Sequence, residues 1–232
     1  MIARRLKNIL SKSISAEQFG FLEGRQIHEA IGVAQEGLHS MKTQKLEGAV
    51  IKIDLSKAYD WVNWLYIRML MTHLGFGIDL IRWTMSCLTF VSFAILINGA
   101  TTHFFKSHRG LRQGCPMSPL LFVLITEGLS RILAATVSNG ELEGISISRN
   151  LKLTHLLFVD DILIYCNGTR GDTDCLVSSL SLFRVVMGME INAGKSCIRG
   201  NLIPEENLQY LLTKFPSLMK ILELESNIWV FT

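Results

Sequence analysis

Two adjacent acids lie inside a run that otherwise belongs in a protein core: Leu156-Leu157-Phe158-Val159-Asp160-Asp161-Ile162-Leu163-Ile164-Tyr165. A hairpin with Asp160-Asp161 at its tip accounts for the pattern, because both acids then emerge from the sheet between apolar strands. Burying two carboxylates together is costly unless something cancels their charge. Divalent cations do so, and magnesium favours one or two carboxylates supplemented by phosphate oxygens and water. A plain Asp-Asp turn at the surface fits the pair equally well when it is taken alone, since Asp is common in turns. A third acid, Asp54, ends the apolar stretch Ala49-Val50-Ile51-Lys52-Ile53. By itself it reads as a cap or turn residue. With the pair it points to a shared cation site at the ends of neighbouring strands, although spacing alone leaves open whether the three converge.

The elements that must position these acids follow from periodicity and turn signals. Helices are expected at roughly 2–12 and 26–43, before the strand that ends at Asp54. Asp60 and Asn63 are N-cap candidates for a helix running to about His73, closed by Gly75 and Gly77. A further helix is expected over 79–90, then a hairpin at Asn98-Gly99. The stretch from Arg109 to Pro119 is rich in Gly, Pro and Ser and reads as a loop. It feeds an apolar helix from about Pro119 to Val137, with Leu120, Leu121, Leu124 and Ile125 suited to a core. Residues 172–188 read as another amphipathic helix. Strands and helices mix without strict βα alternation, which predicts an antiparallel sheet backed by helices, an α+β fold.

Composition sets outer bounds. With 232 residues, 49% of them hydrophobic, the chain is long enough for one domain, or two, around a sizeable core. A net charge of +3 permits nucleic-acid binding without singling it out. The five cysteines (Cys87, Cys115, Cys166, Cys175 and Cys197) are odd in number and form no Cys-x-x-Cys pair, which argues against a disulfide framework or a zinc site and for a reducing compartment. Met1 to Ser15 is basic and free of acids, as transit peptides are, but Ile2, Leu6, Ile9 and Leu10 favour a basic amphipathic helix. Trp83 to Phe105 carries no formal charge over a span long enough for a membrane. Its polar residues and the Asn98-Gly99 turn favour buried β-structure, so no membrane partner is expected. His73, His103, His108 and His155 show no ligand spacing, and Met69, Met71, Met187 and Met189 read as packing.

Five blocks of the sequence, in order, resemble those of reverse transcriptases in their plant LINE-type (non-LTR) retrotransposon form. Gln18-Phe19-Gly20-Phe21-Leu22-Glu23-Gly24-Arg25-Gln26-Ile27 is similar to the upstream block. Ile53-Asp54-Leu55-Ser56-Lys57-Ala58-Tyr59-Asp60 resembles the first catalytic motif. Arg109-Gly110-Leu111-Arg112-Gln113-Gly114-Cys115-Pro116-Met117-Ser118-Pro119 resembles the substrate-binding loop. Phe158-Val159-Asp160-Asp161 resembles the aromatic-x-Asp-Asp hairpin, with Val159 where this subgroup commonly has alanine. Gly188-Met189-Glu190-Ile191-Asn192-Ala193-Gly194-Lys195-Ser196 resembles the lysine-bearing motif that follows. One short block carries little weight; five in family order carry a great deal.

The resemblance implies a reverse-transcriptase palm. Residues 1–198 would be a partial domain (1–47 fingers, 48–198 mainly palm), without a thumb, and 199–232 a degenerate or truncated end. It implies an RNA-directed DNA polymerase whose partners are an RNA template, a DNA primer and dNTPs. The cofactors would be two Mg2+ ions, replaceable by Mn2+, held by Asp54, Asp160 and the Leu55 carbonyl, with Asp161 beside them. Tyr59 would lie under the incoming sugar and exclude a ribose 2′-hydroxyl. Gln113 and Gly114 would approach the nucleotide, and Lys195 would protonate the leaving pyrophosphate. Arg25 would contact template or nucleotide phosphate, and Lys52, Arg109 and Arg112 would help bind a nucleic-acid backbone. Relatives act on nuclear DNA, so an intracellular place, nucleus or cytoplasm, is expected. The Arg-Pro-Ile segment and the Tyr-Leu-Gly block usual in the family are not in this sequence, and Asn227 to Thr232 is expected to be a frameshifted version of the latter. A chain without full fingers and thumb is expected to grip primer–template weakly. The other reading is a silent remnant that retains at most weak nucleic-acid binding.

Overall fold

The computed structural model describes residues 2–149 and 151–215. The amino-terminal part holds α1 (Ile2–Ser13), α2 (Ile27–Thr43), β1 (Gly48–Ile53), β2 (Leu55–Ser56), α3 (Ala58–Trp61), α4 (Trp64–His73) and α5 (Ile78–Thr89). Four short strands follow: β3 (Ser92–Phe93), β4 (Leu96–Ile97), β5 (Ala100–Thr101) and β6 (Phe105–Lys106). Next come α6 (Ser118–Ser138), β7 (Ile145–Ser148), β8 (Leu151–Leu153), β9 (His155–Phe158) and β10 (Asp161–Cys166). The described part closes with α7 (Arg170–Met187), β11 (Glu190–Ile191), β12 (Cys197–Asn201) and α8 (Glu205–Lys214), the last packed on α7. The expected frameshift at Asn227 to Thr232 lies outside the described residues.

Four strands form the central sheet in the order β12-β1-β10-β9, all antiparallel. Strands β1 and β10 are the two central ones, and apart from Lys52 and Asp161 near one end both are largely apolar on both faces, as central strands with two covered faces are. On one face Ala49, Ile51, Ile53, Ile162 and Ile164 meet the main core, built on α6, α7, α4, α5 and α1. On the other, Val50, Leu163 and Tyr165 pack with Ala34, Leu38 and Met41 of α2 and with Ile145 and Leu153 of the β7–β8 hairpin. The expected α+β arrangement is what forms.

Local signals operate mostly as expected. Asn63 caps α4, its side-chain oxygen accepting from Leu65 N at 2.9 Å, while Asp60 falls inside α3. Gly75 takes φ +74° just after α4, where a side chain would be strained. In α1, Leu6 and Leu10 are buried, whereas Ile9 reaches solvent. Asn98 and Gly99 both take positive φ (49° and 84°) and turn β4 into β5, as a two-residue hairpin turn requires.

The expectation of buried β-structure over 83–105 needs correction. Helix α5 takes the first part, and the strands after it are largely exposed: Leu96 is 68%, Ile97 56% and Phe105 48% accessible. The reason is topological. β3 pairs only with β6 and β4 only with β5, so the backbone is satisfied in a narrow ribbon that no third strand covers. Among the described residues the one helix long and apolar enough to cross a membrane is instead α6, and it is 67% buried as the main core helix.

A polar seam ties the amino-terminal segment to this core. Buried Glu127 accepts from Ser15 N (3.0 Å), Ser15 Oγ (2.8 Å) and Arg131 Nε (2.8 Å). Ser130 Oγ lies 2.7 Å from both Ser15 Oγ and His155 Nε2. Burial lowers the His155 pKa from 6.5 to about 4, despite the opposing pull of Glu17. The folded protein therefore keeps the ring neutral, while the unfolded chain takes up a proton below 6.5. This contribution to stability is complete above pH 6.5 and lost as pH falls through about 4. In urea unfolding, stability is expected to fall by up to about 1.4 kcal/mol per pH unit across that window from this group. The slope should be shallower in His155→Gln, and identical slopes in the two proteins would refute the assignment.

Candidate active site

The site begins with the pairing of β1 and β10. Ile53 opposes Ile162, so the next step of the ladder sets Asp54 against Asp161 at the same end of the sheet. The hairpin joining β9 to β10 turns at Val159 and Asp160, with Asp161 already the first residue of β10. Val159 takes φ +59°, an unusual left-handed conformation for a β-branched residue. The tip therefore sits at the open end of the sheet, but the expectation of Asp160-Asp161 at the tip needs correction by one residue: Asp161 pairs with Phe158 and is buried in β10, and only Asp160 lies in the turn.

Asp54 is fixed by the 188–196 loop. Its N–H donates to Ser196 Oγ at 2.9 Å, and its carbonyl accepts from Asn192 N at 2.8 Å. Just beyond, β2 pairs with β11, Leu55 opposite Ile191. These contacts carry Lys195 to the same place. From the other side, Gly110 N donates to Val62 O (2.8 Å) and Leu111 N to Tyr59 O (2.7 Å), docking the 109–117 loop on α3. Trp64 Nε1 donates to Gly110 O at 2.7 Å. A Cβ on Gly110 would lie 2.8 Å from Asp60 O, and φ is +88°, so glycine is required there.

The result is a cleft of about 220 Å3 into which Asp54, Leu55, Tyr59, Gln113, Asp160 and Lys195 all face, with Lys57 and Asn192 also lining it. Gly114 lies on an adjoining hollow that shares Tyr59 and Gln113. The Tyr59 ring stacks on Phe122 of α6, centroids 4.9 Å apart and planes within 8°. Its pKa is raised, first by burial and then by the negative charge of Asp160.

Asp161 stands just behind the cleft lining. It is 8% exposed, and Lys52 Nζ lies 3.4 Å from its carboxylate. Lys52 opposes Leu163, so it meets Asp161 on the cross-strand diagonal. Burial raises the Asp161 pKa; Lys52 opposes this, and Asp160 and Asp54 push it further up. Two expected roles thus change character. Lys52 is an internal counter-ion, 12% exposed at its side chain, in place of the backbone contact expected of it. Arg25 directs its guanidinium to the carbonyls of Ile14, Ser15 and Gln18, a task within the amino-terminal segment. Arg109 stacks over Trp61 at 4.2 Å. Sequence reasoning missed Lys52 in this role, Ser196, Asn192 and Lys57. A lysine between Ile51 and Ile53, two residues before an aspartate, was the available signal for the first.

The donor set suits a hard divalent cation. Three carboxylates crowd closely enough for two of them to raise the pKa of the third. Among the described residues no three His, Cys, Asp or Glu side chains are grouped closely enough to hold a metal ion by themselves.

Comparisons with known proteins give the fold and the family. Telomerase from Candida albicans in complex with a TWJ fragment of telomeric RNA superimposes with a TM-score of 0.65, at 12% identity over 85% of this chain and 35% of that one. Apo telomerase from Candida Tropicalis, truncated from its C-terminal domain, gives 0.62 at 13% identity over 88% of this chain and 40% of that one. The fold is thus an α+β reverse-transcriptase palm. The chain belongs to the reverse transcriptase (RNA-dependent DNA polymerase) family, whose model matches residues 1–212. Its relatives include the Pol polyprotein of a type-1 R2 retrotransposable element of Popillia japonica, 29% identical over 160 residues, 68% of this chain. The chain spans 25% of that polyprotein. A TX1 transposon protein of Xenopus laevis is 25% identical over 70% of this chain and 12% of its own length. An uncharacterized mitochondrial protein of Arabidopsis thaliana is 48% identical over 67 residues, 28% of this chain and 55% of its own length. The family generally uses divalent metal ions.

The Lys52–Asp161 pair can be tested directly. Removing one partner of a buried pair leaves an uncompensated charge, so Lys52→Met should cost about 3 kcal/mol in urea unfolding at pH 7. Lys52→Met/Asp161→Asn should recover most of that loss. Because the folded-state pKa of Asp161 is raised, the deficit of the single variant should shrink as pH falls and the carboxyl protonates. Additive losses in the double variant would rule the pairing out.

Proposed function

We propose that this chain is the catalytic palm of an RNA-directed DNA polymerase, one that joins dNTPs to the 3′-hydroxyl of a DNA primer on an RNA template. The observation that carries the reading is the convergence of Asp54, Leu55, Tyr59, Gln113, Asp160 and Lys195 on one cleft from segments far apart in sequence. Asp54 and Asp160, with the Leu55 carbonyl, would hold two magnesium ions, or manganese in their place. Such ions, when bound, acidify the attacking hydroxyl and neutralise charge on the phosphates. Asp161 and Lys52 set the charge balance behind them.

The remaining work falls to the side chains around the cleft. Tyr59 presents a ring held flat against Phe122, a rigid floor on which a deoxyribose fits and a ribose 2′-hydroxyl collides. Gln113, on a loop anchored by Gly110, would contact the incoming nucleotide. Lys195, held in place because Asn192 and Ser196 grip Asp54, would give a proton to the departing pyrophosphate. Catalysis would then rest on positioning and electrostatic stabilisation of an in-line displacement.

Primer extension on an RNA template with dNTPs and Mg2+, then Mn2+, tests the reading. Extension is expected in one or both metals, and Asp160→Asn should lower it by on the order of a thousandfold or more. A folded chain with no extension in either metal would overturn the proposal and favour a silent, nucleic-acid-binding remnant. Where extension occurs, Tyr59→Ala should raise rNTP use relative to dNTP use by on the order of tenfold or more, and Tyr59→Phe should leave the ratio unchanged. An unchanged ratio in Tyr59→Ala would remove Tyr59 from sugar selection.

A further inference from the structure

The upstream block around Gln18 has so far no part in the chemistry, yet its side chain reaches the catalytic turn. Gln18 is wholly buried. Its Oε1 accepts from Val159 N at 3.3 Å and from Gly20 N at 2.9 Å. Its Nε2 donates to Thr126 Oγ1 at 2.8 Å. The orientation of the amide is fixed by chemistry: only an oxygen can receive two backbone N–H groups. Thr126 Oγ1, bonded to the carbonyls of Phe122 and Val123, is free to accept from the amide.

The backbone repeats the link. Phe19 N donates to Leu157 O at 2.9 Å and Leu157 N to Glu17 O at 2.8 Å, a parallel bridge on the outer edge of β9. Gly20 permits the approach. A Cβ there would lie 2.7 Å from Val159 Cγ2 and 2.9 Å from Val159 N. Farther back, Arg25 gathers the carbonyls of Ile14, Ser15 and Gln18, and Glu127 holds Ser15. The segment is therefore a strap between the core helix α6 and the turn that presents Asp160.

That turn needs holding. Val159 sits at φ +59°, a region β-branched residues avoid, and such conformations persist only when the surroundings over-determine them. We propose that Gln18 is a positioning residue for the metal-holding turn: its carboxamide pins the Val159 amide and so sets where Asp160 points. The proposal rests on the reading of Asp160 as a metal ligand. Without the carboxamide, Val159 relaxes toward extended backbone, and Asp160 turns away from Asp54 while the sheet stays paired.

The test uses the whole chain with Mn2+ alone as probe, read by electron paramagnetic resonance, together with amide hydrogen exchange. The wild type should bind Mn2+ at a site that Asp160→Asn removes. Gln18→Met should weaken that binding about tenfold, the low end for loss of a group that orients a metal ligand. Exchange should quicken over residues 157–161, with protection of β1 and β12 unchanged. Glycine accepts positive φ without cost, so Val159→Gly in the Gln18→Met background should restore much of the Mn2+ affinity. Gln18→Glu is isosteric; burial keeps its carboxyl neutral, so it can still accept from Val159 N and donate to Thr126 Oγ1, and it should stay near wild type, serving as the folded comparison if Gln18→Met fails to fold. Unchanged affinity and exchange in Gln18→Met, strictly additive losses in the double variant, or a Gln18→Glu protein with full affinity but a freely exchanging Val159 would each overturn the proposal. If the wild type binds no Mn2+ that Asp160→Asn removes, the metal reading of Asp160 fails. Exchange then decides alone whether Gln18 holds the turn: faster exchange confined to 157–161 sustains that role, and unchanged exchange ends it.

Discussion

The antiparallel register of β1 against β10 is the constraint from which the rest of the molecule follows. Setting Ile53 opposite Ile162 brings three carboxylates to one end of two central strands whose other residues, Lys52 apart, are largely apolar. Their mutual repulsion and their desolvation act in the same direction, as the raised pKa of Asp161 records. A one-residue slip of β1 would turn Lys52 and Asp54 toward the main core, away from Asp161, and move Ile51 and Ile53 out of that core to the α2 face. The apolar pattern of the strands forbids that slip, so the packing that stabilises the sheet also fixes the place of its least stable feature.

Everything around the cleft can be understood as support for that crowding. Lys52 lowers the cost of Asp161 from within the same sheet face. The 188–196 loop holds Asp54 by both its amide and its carbonyl, and Lys195 arrives as a consequence of that grip. The 109–117 loop is fastened to α3 through Gly110, and Tyr59 is backed by Phe122. Few of these contacts join sequence neighbours. The site is assembled from separate loops, each anchored to a rigid element a residue or two from the atoms that face the cleft, which is how loose segments achieve the positional accuracy that chemistry requires.

This division explains what could be read from the sequence. Helix positions, the Asn63 cap and the Asn98-Gly99 turn are local, and local pattern found them; the hairpin bearing the acids was found as well, but one residue out of place, with its tip at Val159-Asp160 in place of Asp160-Asp161. The order of the five motifs gave the family and the palm, confirmed by the match over residues 1–212. The roles of Lys52, Arg25 and Gln18 depend on contacts made across the fold, which neither periodicity nor capping encodes. The exposed ribbon at 92–106 failed for a related reason: β-branched and aromatic residues announce a strand, but whether a third strand or a helix covers it is a property of the fold.

Helix α6 shows how an apparently featureless apolar segment can still carry information. By length and hydropathy it passes for a membrane span, yet Thr126, Glu127 and Ser130 interrupt it, and all three are buried. Thr126 and Ser130 are one turn apart, and Glu127 is adjacent on the same side. Together they meet Gln18, Ser15 and His155, the groups that bind the amino-terminal segment to the core and, through Gln18, to Val159. Buried polar groups must find partners, and a helix that places three of them on one side dictates what packs there. The polar seam of α6 therefore does for the amino-terminal segment what the β1–β10 register does for the carboxylates. It selects one docking position out of many that the hydrophobic effect alone would tolerate, and that position ends at the turn bearing Asp160.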